Sequence, residues 1–259
     1  MHTDTNDWYH ETFHVYHKDV DFREELRFSS LCVMLQEVAW SHARAIGIDY
    51  SNPAFANAVW VVSRMDIRLT YPLPKWMDDV VLTTFPVGLD RMFALRDFVA
   101  YHKNGTPFAF VRSAWLVIDA KARKILRPQH MIESSNITFG KPLWEGEIAK
   151  LHSHEGPSSP LGVTGYQDID AHAHVNSVRY YDWALSGYDK AWHEEHRLTE
   201  ASANFTSELG WNEVVYRTSL ETPDGHTHII HRGDATVPSA IIKYRWEQRV
   251  NNEQKVENP

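Results

Sequence analysis

The densest chemistry in this 259-residue chain lies in Tyr166-Gln167-Asp168-Ile169-Asp170-Ala171-His172-Ala173-His174-Val175-Asn176-Ser177-Val178-Arg179-Tyr180. Carboxylates alternate with imidazoles there, and a run with helical apolar spacing follows at once. Attack of water on an acyl carbonyl needs a base to take the proton, donors for the developing oxyanion, and a group that orients the base. This segment has the types to supply all three. The same residues also have a structural reading, because Asp and Asn cap helices and sixteen histidines leave some close together by composition alone.

The remaining constellations carry less. In His193-Glu194-Glu195-His196 the histidines stand three apart, which is not the His-Glu-x-x-His spacing of a zinc helix, and no further ligand cluster accompanies them; a solvated helix end is expected, and no metal. His226, His228 and His231 fall on a predicted strand, the first two on one face, in structural roles. The basic run Lys121-Ala122-Arg123-Lys124-Ile125-Leu126-Arg127 reads either as a solvated loop or as a docking patch for an acidic partner. Cys32 is the only cysteine, which excludes an intramolecular disulfide and a cysteine-based zinc site. No Gly-x-Ser-x-Gly elbow offers a serine nucleophile.

These side chains need elements to position them. Apolar Leu31, Leu35, Val38 and Ile46 recur at helical spacing, Met34 and Ala39 widen the stripe, and Gly47 ends it. Strands are predicted over 59–71, 79–87, 92–102 and 107–118, with Asn104-Gly105 turning between the last two. The pattern then weakens, and residues 152–160 read as a flexible connection between a unit of residues 1–150 and one of 151–259. The second unit repeats the layout: Val178, Tyr181, Leu185, Tyr188 and Trp192 share one helical stripe, and strands follow over 203–209, 213–220, 226–232 and 240–248. Sliding the halves by 147 residues sets Asp21 over Asp168, Arg27 over His174 and Leu31 over Val178. The expected class is α+β, a tandem double hot-dog in which each half is a long helix wrapped by an antiparallel sheet.

Composition sets the outer bounds. An apolar share of 43% is ample for a core, and ten tryptophans suggest large buried surfaces or a roomy apolar pocket. A net charge of -8 argues against a general nucleic-acid binder. Residues 1–7 have no signal-peptide pattern and no apolar run reaches membrane-spanning length, so no membrane insertion and a reducing cytoplasm are expected.

The segment Asp168-Ile169-Asp170-Ala171-His172-Ala173-His174-Val175-Asn176-Ser177, followed by Tyr180, Trp183, Ala184 and Leu185, resembles the signature of the acyl-acyl-carrier-protein thioesterases of plants and bacteria. The resemblance continues through Trp60, Arg64, Tyr71-Pro72, Arg96-Asp97-Phe98, Gly105 and Ser113 to Asp119, and so covers most of the chain. It implies hydrolysis of fatty acyl-carrier-protein thioesters without a cofactor, with acyl carrier protein as the substrate-bearing partner. It also implies catalytic roles for Asp170 and His174, and for Glu208 in Phe205-Thr206-Ser207-Glu208-Leu209-Gly210. Where the family commonly has Asn this chain has His172, which is carried as a fourth catalytic candidate. Plant relatives can have Cys where Leu209 stands, so a cysteine nucleophile is rejected. The helix starting near Asn176 would offer N–H groups to the oxyanion. By the same resemblance the N-terminal half shapes the acyl site, with Leu31, Met34, Leu35 and Val38 as lining, while core packing is their default role. Two other functions stay open, acyl-coenzyme A hydrolysis and noncatalytic acyl binding, and a homodimer is neither required nor excluded.

Overall fold

The computed structural model describes residues 8–133, 135, 137–223, 225–233 and 237–249. In chain order its elements are β1 (Tyr9–His14), α1 (Phe28–Ala45), β2 (Ala58–Leu69), β3 (Asp79–Asp90), β4 (Phe93–His102), β5 (Pro107–Asp119), β6 (Lys124–Leu126), α2 (Gln129–Glu133), β7 (Ser158–Val163), α3 (Ser177–Leu185), α4 (Lys190–Glu195), β8 (His196–Phe205), β9 (Val214–Thr222), β10 (Gly225–Arg232) and β11 (Ala240–Gln248). The strands form one antiparallel sheet in the order β1-β3-β4-β5-β2-β8-β11-β10-β9-β7, with β6 added to β5. The two halves meet edge to edge at β2 and β8, where Met65 faces Ala203 and Ile67 faces Ala201. This is the tandem double hot-dog expected from the pattern, its two sheets fused into one.

The helices lie together against that sheet. Leu31, Met34, Leu35 and Val38 of α1 and Val178, Tyr181 and Ala184 of α3 enter one core cluster with strand residues of both halves. Gln36 Nε2 donates to Ser177 Oγ at 2.7 Å and Phe28 meets Tyr181 edge-on at 5.2 Å, so the helices also touch each other. Among the described residues no helix is long and apolar enough to cross a membrane.

Three sequence expectations change. The stripe from Val178 to Trp192 is two helices: Asp182 and Ala184 carbonyls accept from Ser186 and Gly187, and Asp189 starts α4 by accepting from the Trp192 N–H at 2.8 Å. Trp192 keeps the helical spacing by coincidence of length. The stretch 152–160 does not stay irregular, because β7 begins at Ser158 and pairs with β9. The connection before it is also held down: Asp97 accepts from the Leu143 N–H, Arg112 donates to the Trp144 carbonyl, and Asn204 bonds Ala149 and Leu151.

The third change is the register of the duplication. The turn before α1 and the turn before α3 share the same bonds at an offset of 149 residues, not 147: Asp21 N–H to Glu25 O matches Asp170 N–H to His174 O, and Arg27 N–H to Asp19 O matches Asn176 N–H to Asp168 O. Glu24 and Ala173, one in each turn, both adopt left-handed φ, at 60° and 63°. Asp21 therefore corresponds to Asp170, Glu25 to His174 and Arg27 to Asn176. At this offset Asp19-Val20-Asp21 lies over Asp168-Ile169-Asp170, so the acids that shape each turn are shared while the residues after them differ.

Candidate active site

Residues 168–176 close on themselves. Asp170 N–H donates to the His174 carbonyl at 2.8 Å, Ala173 N–H to the Asp170 carbonyl at 3.0 Å, and Asn176 N–H to the Asp168 carbonyl at 2.8 Å, while Ile169 bridges Val175. The carboxylates tighten the turn further. Asp170 Oδ1 accepts from the His172 N–H at 2.8 Å, and buried Asp168 accepts from the Gly165 N–H and from Arg179 Nε at 2.9 and 2.8 Å. Both acids thus shape the backbone that presents the His174 ring.

Glu208 comes from the other side. The strand predicted over 203–209 ends at Phe205, so Glu208 stands in the loop after β8 instead of on a strand. That loop is fixed all the same: Thr206 and Ser207 hydroxyls donate to the Pro238 carbonyl, and Thr164 Oγ1 donates to the Gly210 carbonyl at 2.7 Å. Leu209 is wholly buried, and its carbonyl accepts from the Val175 N–H at 2.8 Å. An apolar residue after Glu208 is therefore an anchor, and the backbone bond ties the loop to the turn. The outcome is Glu208 Oε2 at 3.2 Å from His174 Nε2, with the two side chains 42% and 36% exposed. Arg123, in the turn between β5 and β6, brings Nη2 to 3.5 Å from the same oxygen. A carboxylate held between imidazole and guanidinium, with one side in solvent, can take a proton from water or attack a carbonyl itself.

His172 is not in that contact. Its exposed ring stacks on Trp40 of α1 at 5.8 Å between centroids. Trp40 also lines an apolar pocket with Ala39, Ala43, Trp60, Leu95 and Trp115, among others. Trp40 thus touches both this pocket and the turn 168–176, and the pocket's walls come from the N-terminal half. Leu31, Met34, Leu35 and Val38, expected to line the acyl site, lie in the main core cluster and are not among the walls of this pocket. The pocket sits farther along α1, toward the C-terminal end. Asn176 is a cap: its Oδ1 accepts from the Val178 N–H at 2.9 Å, and its carbonyl accepts from Arg179 N–H. The N–H groups of Val175, Asn176, Val178 and Arg179 are all engaged, which leaves that of Ser177 in the first turn of α3.

At the duplicated position the chemistry is gone. Arg23 and Glu25 stand where His172 and His174 stand in the other half, and they clamp the halves together. Arg249 reaches Glu25 through two bonds, the shorter at 2.8 Å, and Arg23 donates to the His193 carbonyl. Burial pushes the Glu25 carboxyl up, but Arg249 and Arg23 outweigh it and hold the group below the ordinary carboxylate range. The fold thus has two equivalent turns and one has kept its histidine.

Three further histidines sit among aromatic and hydroxyl partners. His196 stacks on Trp192 at 3.9 Å, and His226 stacks on Tyr188 at 5.4 Å. His228 is buried between Tyr188 Oη at 2.8 Å and Ser219 Oγ at 2.9 Å. Arg123 and Trp40 are the two site residues that sequence reasoning missed. Arg123 lay within a run read as docking or solvated, and nothing in the sequence distinguishes Trp40 from nine other tryptophans.

Residues 6–133 match the acyl-ACP thioesterase N-terminal domain and residues 163–248 the acyl-ACP thioesterase C-terminal domain. Oleoyl-acyl carrier protein thioesterase 2, chloroplastic, of Arabidopsis thaliana is 26% identical over 239 residues, covering 83% of this chain and 64% of its own. An acyl-ACP thioesterase from Bacteroides thetaiotaomicron superposes with a TM-score of 0.81 at 22% identity, over 95% of this chain and 100% of that one. The 12:0-ACP thioesterase from Umbellularia californica gives 0.81 at 16% identity, over 96% and 99%. The chain spans a little under two thirds of the length of the curated relatives, such as 64% for the Arabidopsis protein.

Proposed function

The chain belongs to the acyl-ACP thioesterase family, and on that premise we propose that it hydrolyses fatty acyl-ACP thioesters to free fatty acid and holo-ACP, ending chain elongation. The observation that carries the reading is the contact of Glu208 Oε2 with His174 Nε2 at 3.2 Å, made across two segments whose backbones are bonded together. Glu208 takes a proton from water as the water oxygen attacks the thioester carbonyl carbon. The oxyanion meets the Ser177 N–H at the positive end of α3. Its collapse breaks the C–S bond, and the leaving carrier thiolate takes the proton from Glu208, which restores the carboxylate. His174 holds the Glu208 carboxylate in line, and Asp170 positions His174 through the turn. No cofactor is needed for this sequence of steps.

The acyl chain lies in the pocket beside Trp40, so residues 1–150 shape the substrate site and residues 151–259 supply the chemistry. Lys121 and Lys124 flank Arg123 in an exposed basic turn next to Glu208, placed to meet an acidic carrier. The reducing cytoplasm suits a chain whose one thiol, Cys32, is buried and free.

The test is fatty acid release from a panel of acyl-ACPs and the matching acyl-coenzyme A esters. A higher kcat/KM for the carrier substrates supports the proposal. Equal or higher values for the coenzyme A esters would move the assignment to acyl-coenzyme A hydrolysis, and binding without release of either would make the protein an acyl carrier or sensor.

A further inference from the structure

The turn between β5 and β6 sets a cation of the N-terminal half against the acid of the C-terminal half. Asp119 Oδ1 accepts from the Lys121 N–H at 2.9 Å and from the Ala122 N–H at 2.8 Å, and Asp119 stands opposite Lys124 in the hairpin. Arg123, inside this turn, has a φ of 51°. A side chain crowds the backbone in that left-handed region, whereas glycine enters it freely. The turn thus carries arginine where glycine would be the relaxed choice, and such strain collects where a side chain is needed for function. Arg123 Nη2 lies 3.5 Å from Glu208 Oε2, the oxygen that meets His174 Nε2 at 3.2 Å. With the arginine side chain 77% exposed, an ion pair of that length adds little to stability. Stability is therefore a poor reason for holding arginine in this conformation, and chemistry at Glu208 is a better one.

We propose that Arg123 is a catalytic residue, the second donor to the thioester oxyanion beside the Ser177 N–H, so that the N-terminal half completes the chemistry of the other half. The proposal rests on the thioesterase reading given above. When water attacks, its proton passes to Glu208 and the carbonyl π pair moves onto oxygen. One negative charge therefore leaves the carboxylate and appears on the oxyanion. A cation bound to the carboxylate alone would oppose that transfer. A guanidinium offers five N–H donors in a planar fork, so Arg123 can keep Nη2 toward Glu208 while its other N–H groups meet the oxyanion. Its attraction for the charge is then present before and after the step. The second donor is also wanted: the N–H groups of Val175, Asn176, Val178 and Arg179 are engaged, and an oxyanion is best held by more than one donor.

The experiment measures kcat and KM for the wild type, Arg123→Gly and Arg123→Lys on an acyl-ACP and on a small acyl thioester that lacks the carrier, with a thermal melt of each protein. Arg123→Gly should lower kcat by at least about tenfold on both substrates with KM for the small ester unchanged, as for a contact made only in the transition state. It should melt no lower than the wild type, because glycine relieves the turn. Arg123→Lys keeps the charge without the fork and should retain part of the activity. Guanidinium chloride at millimolar concentration should restore turnover to Arg123→Gly beyond the effect of sodium chloride at equal strength. A rise in KM confined to acyl-ACP, with kcat unchanged, makes Arg123 a docking residue and overturns the proposal. A lowered melting temperature with no rescue by guanidinium makes it a structural one and overturns the proposal too. Wild-type kcat in Arg123→Gly on both substrates overturns it and leaves the thioesterase reading standing. A wild type that hydrolyses neither substrate overturns the thioesterase reading and this proposal with it. Should Arg123→Gly fail to fold, Arg123→Lys and Arg123→Gln carry the same comparison.

Discussion

At the scale of residues, four candidates from one short segment and its distant partner have separated into distinct roles. His174 and Glu208 touch each other, Asp170 spends its carboxylate on the His172 N–H, and His172 turns its ring to Trp40. Because the contribution of His172 to the turn is a backbone N–H, His172→Asn should retain turnover within about tenfold, as expected for a group outside the proton-transfer path; a loss as deep as that of a Glu208 variant would put the ring back into the chemistry. The basic turn is tested separately from the acid it flanks. Reversing the charge of Lys121 and Lys124 together should raise KM for carrier substrates by about tenfold at low salt and leave a small thiol ester nearly unaffected. An unchanged KM would return that turn to being a solvated loop. The segment 168–176 was legible in the sequence because its groups are contiguous. Glu208 was reached only through family resemblance, and Arg123 not at all, since it meets Glu208 across 85 positions of chain.

At the scale of elements, periodicity located most strands and the first helix but not what each buried face touches. Leu31, Met34, Leu35 and Val38 make a correct helical stripe, yet such a stripe reports burial without saying whether the neighbour is a side chain or a cavity. The pocket took the next turns of the same helix instead, at Ala39, Trp40 and Ala43. Strands β1 and β7, Tyr-His-Glu-Thr-Phe-His and Ser-Ser-Pro-Leu-Gly-Val, escaped notice because edge strands with few apolar residues leave little pattern. The helix α3 begins at a cap that also borders the turn carrying His174, and its structural role can be separated from the proposed chemistry. Asn176→Ala removes the bond to the Val178 N–H and should lower stability by about 1 kcal/mol in chemical denaturation. A drop in turnover without that loss would show that Asn176 contacts substrate.

At the scale of the whole molecule, duplication supplied two equivalent turns before two helices, and divergence used them differently. One keeps His174 facing Glu208; the other has Arg23 and Glu25, which fasten residues of the C-terminal half. Each half also buries a histidine, His42 in the first and His228 in the second, and burial, followed by the charges of Arg96 and Arg217 respectively, pushes both down to about 3. The unfolded chain takes up protons there from about pH 6.5, the folded chain only near 3. Stability is therefore fully present above about pH 6.5 and falls as pH drops, by up to about 1.4 kcal/mol per pH unit for each histidine. Denaturant midpoints measured from pH 7 to pH 5 should show this slope, and His42→Gln with His228→Gln should flatten it; an unchanged slope would assign acid sensitivity to other groups. The proposed division of labour between the halves rests finally on one carboxylate. The decisive measurement is single-turnover release of fatty acid from an acyl-ACP by the wild type and by Glu208→Gln, with circular dichroism and acyl-ACP binding recorded on both. The account predicts intact folding, intact binding and a loss of turnover of at least about a hundredfold. Near-normal release by a folded Glu208→Gln protein would contradict it.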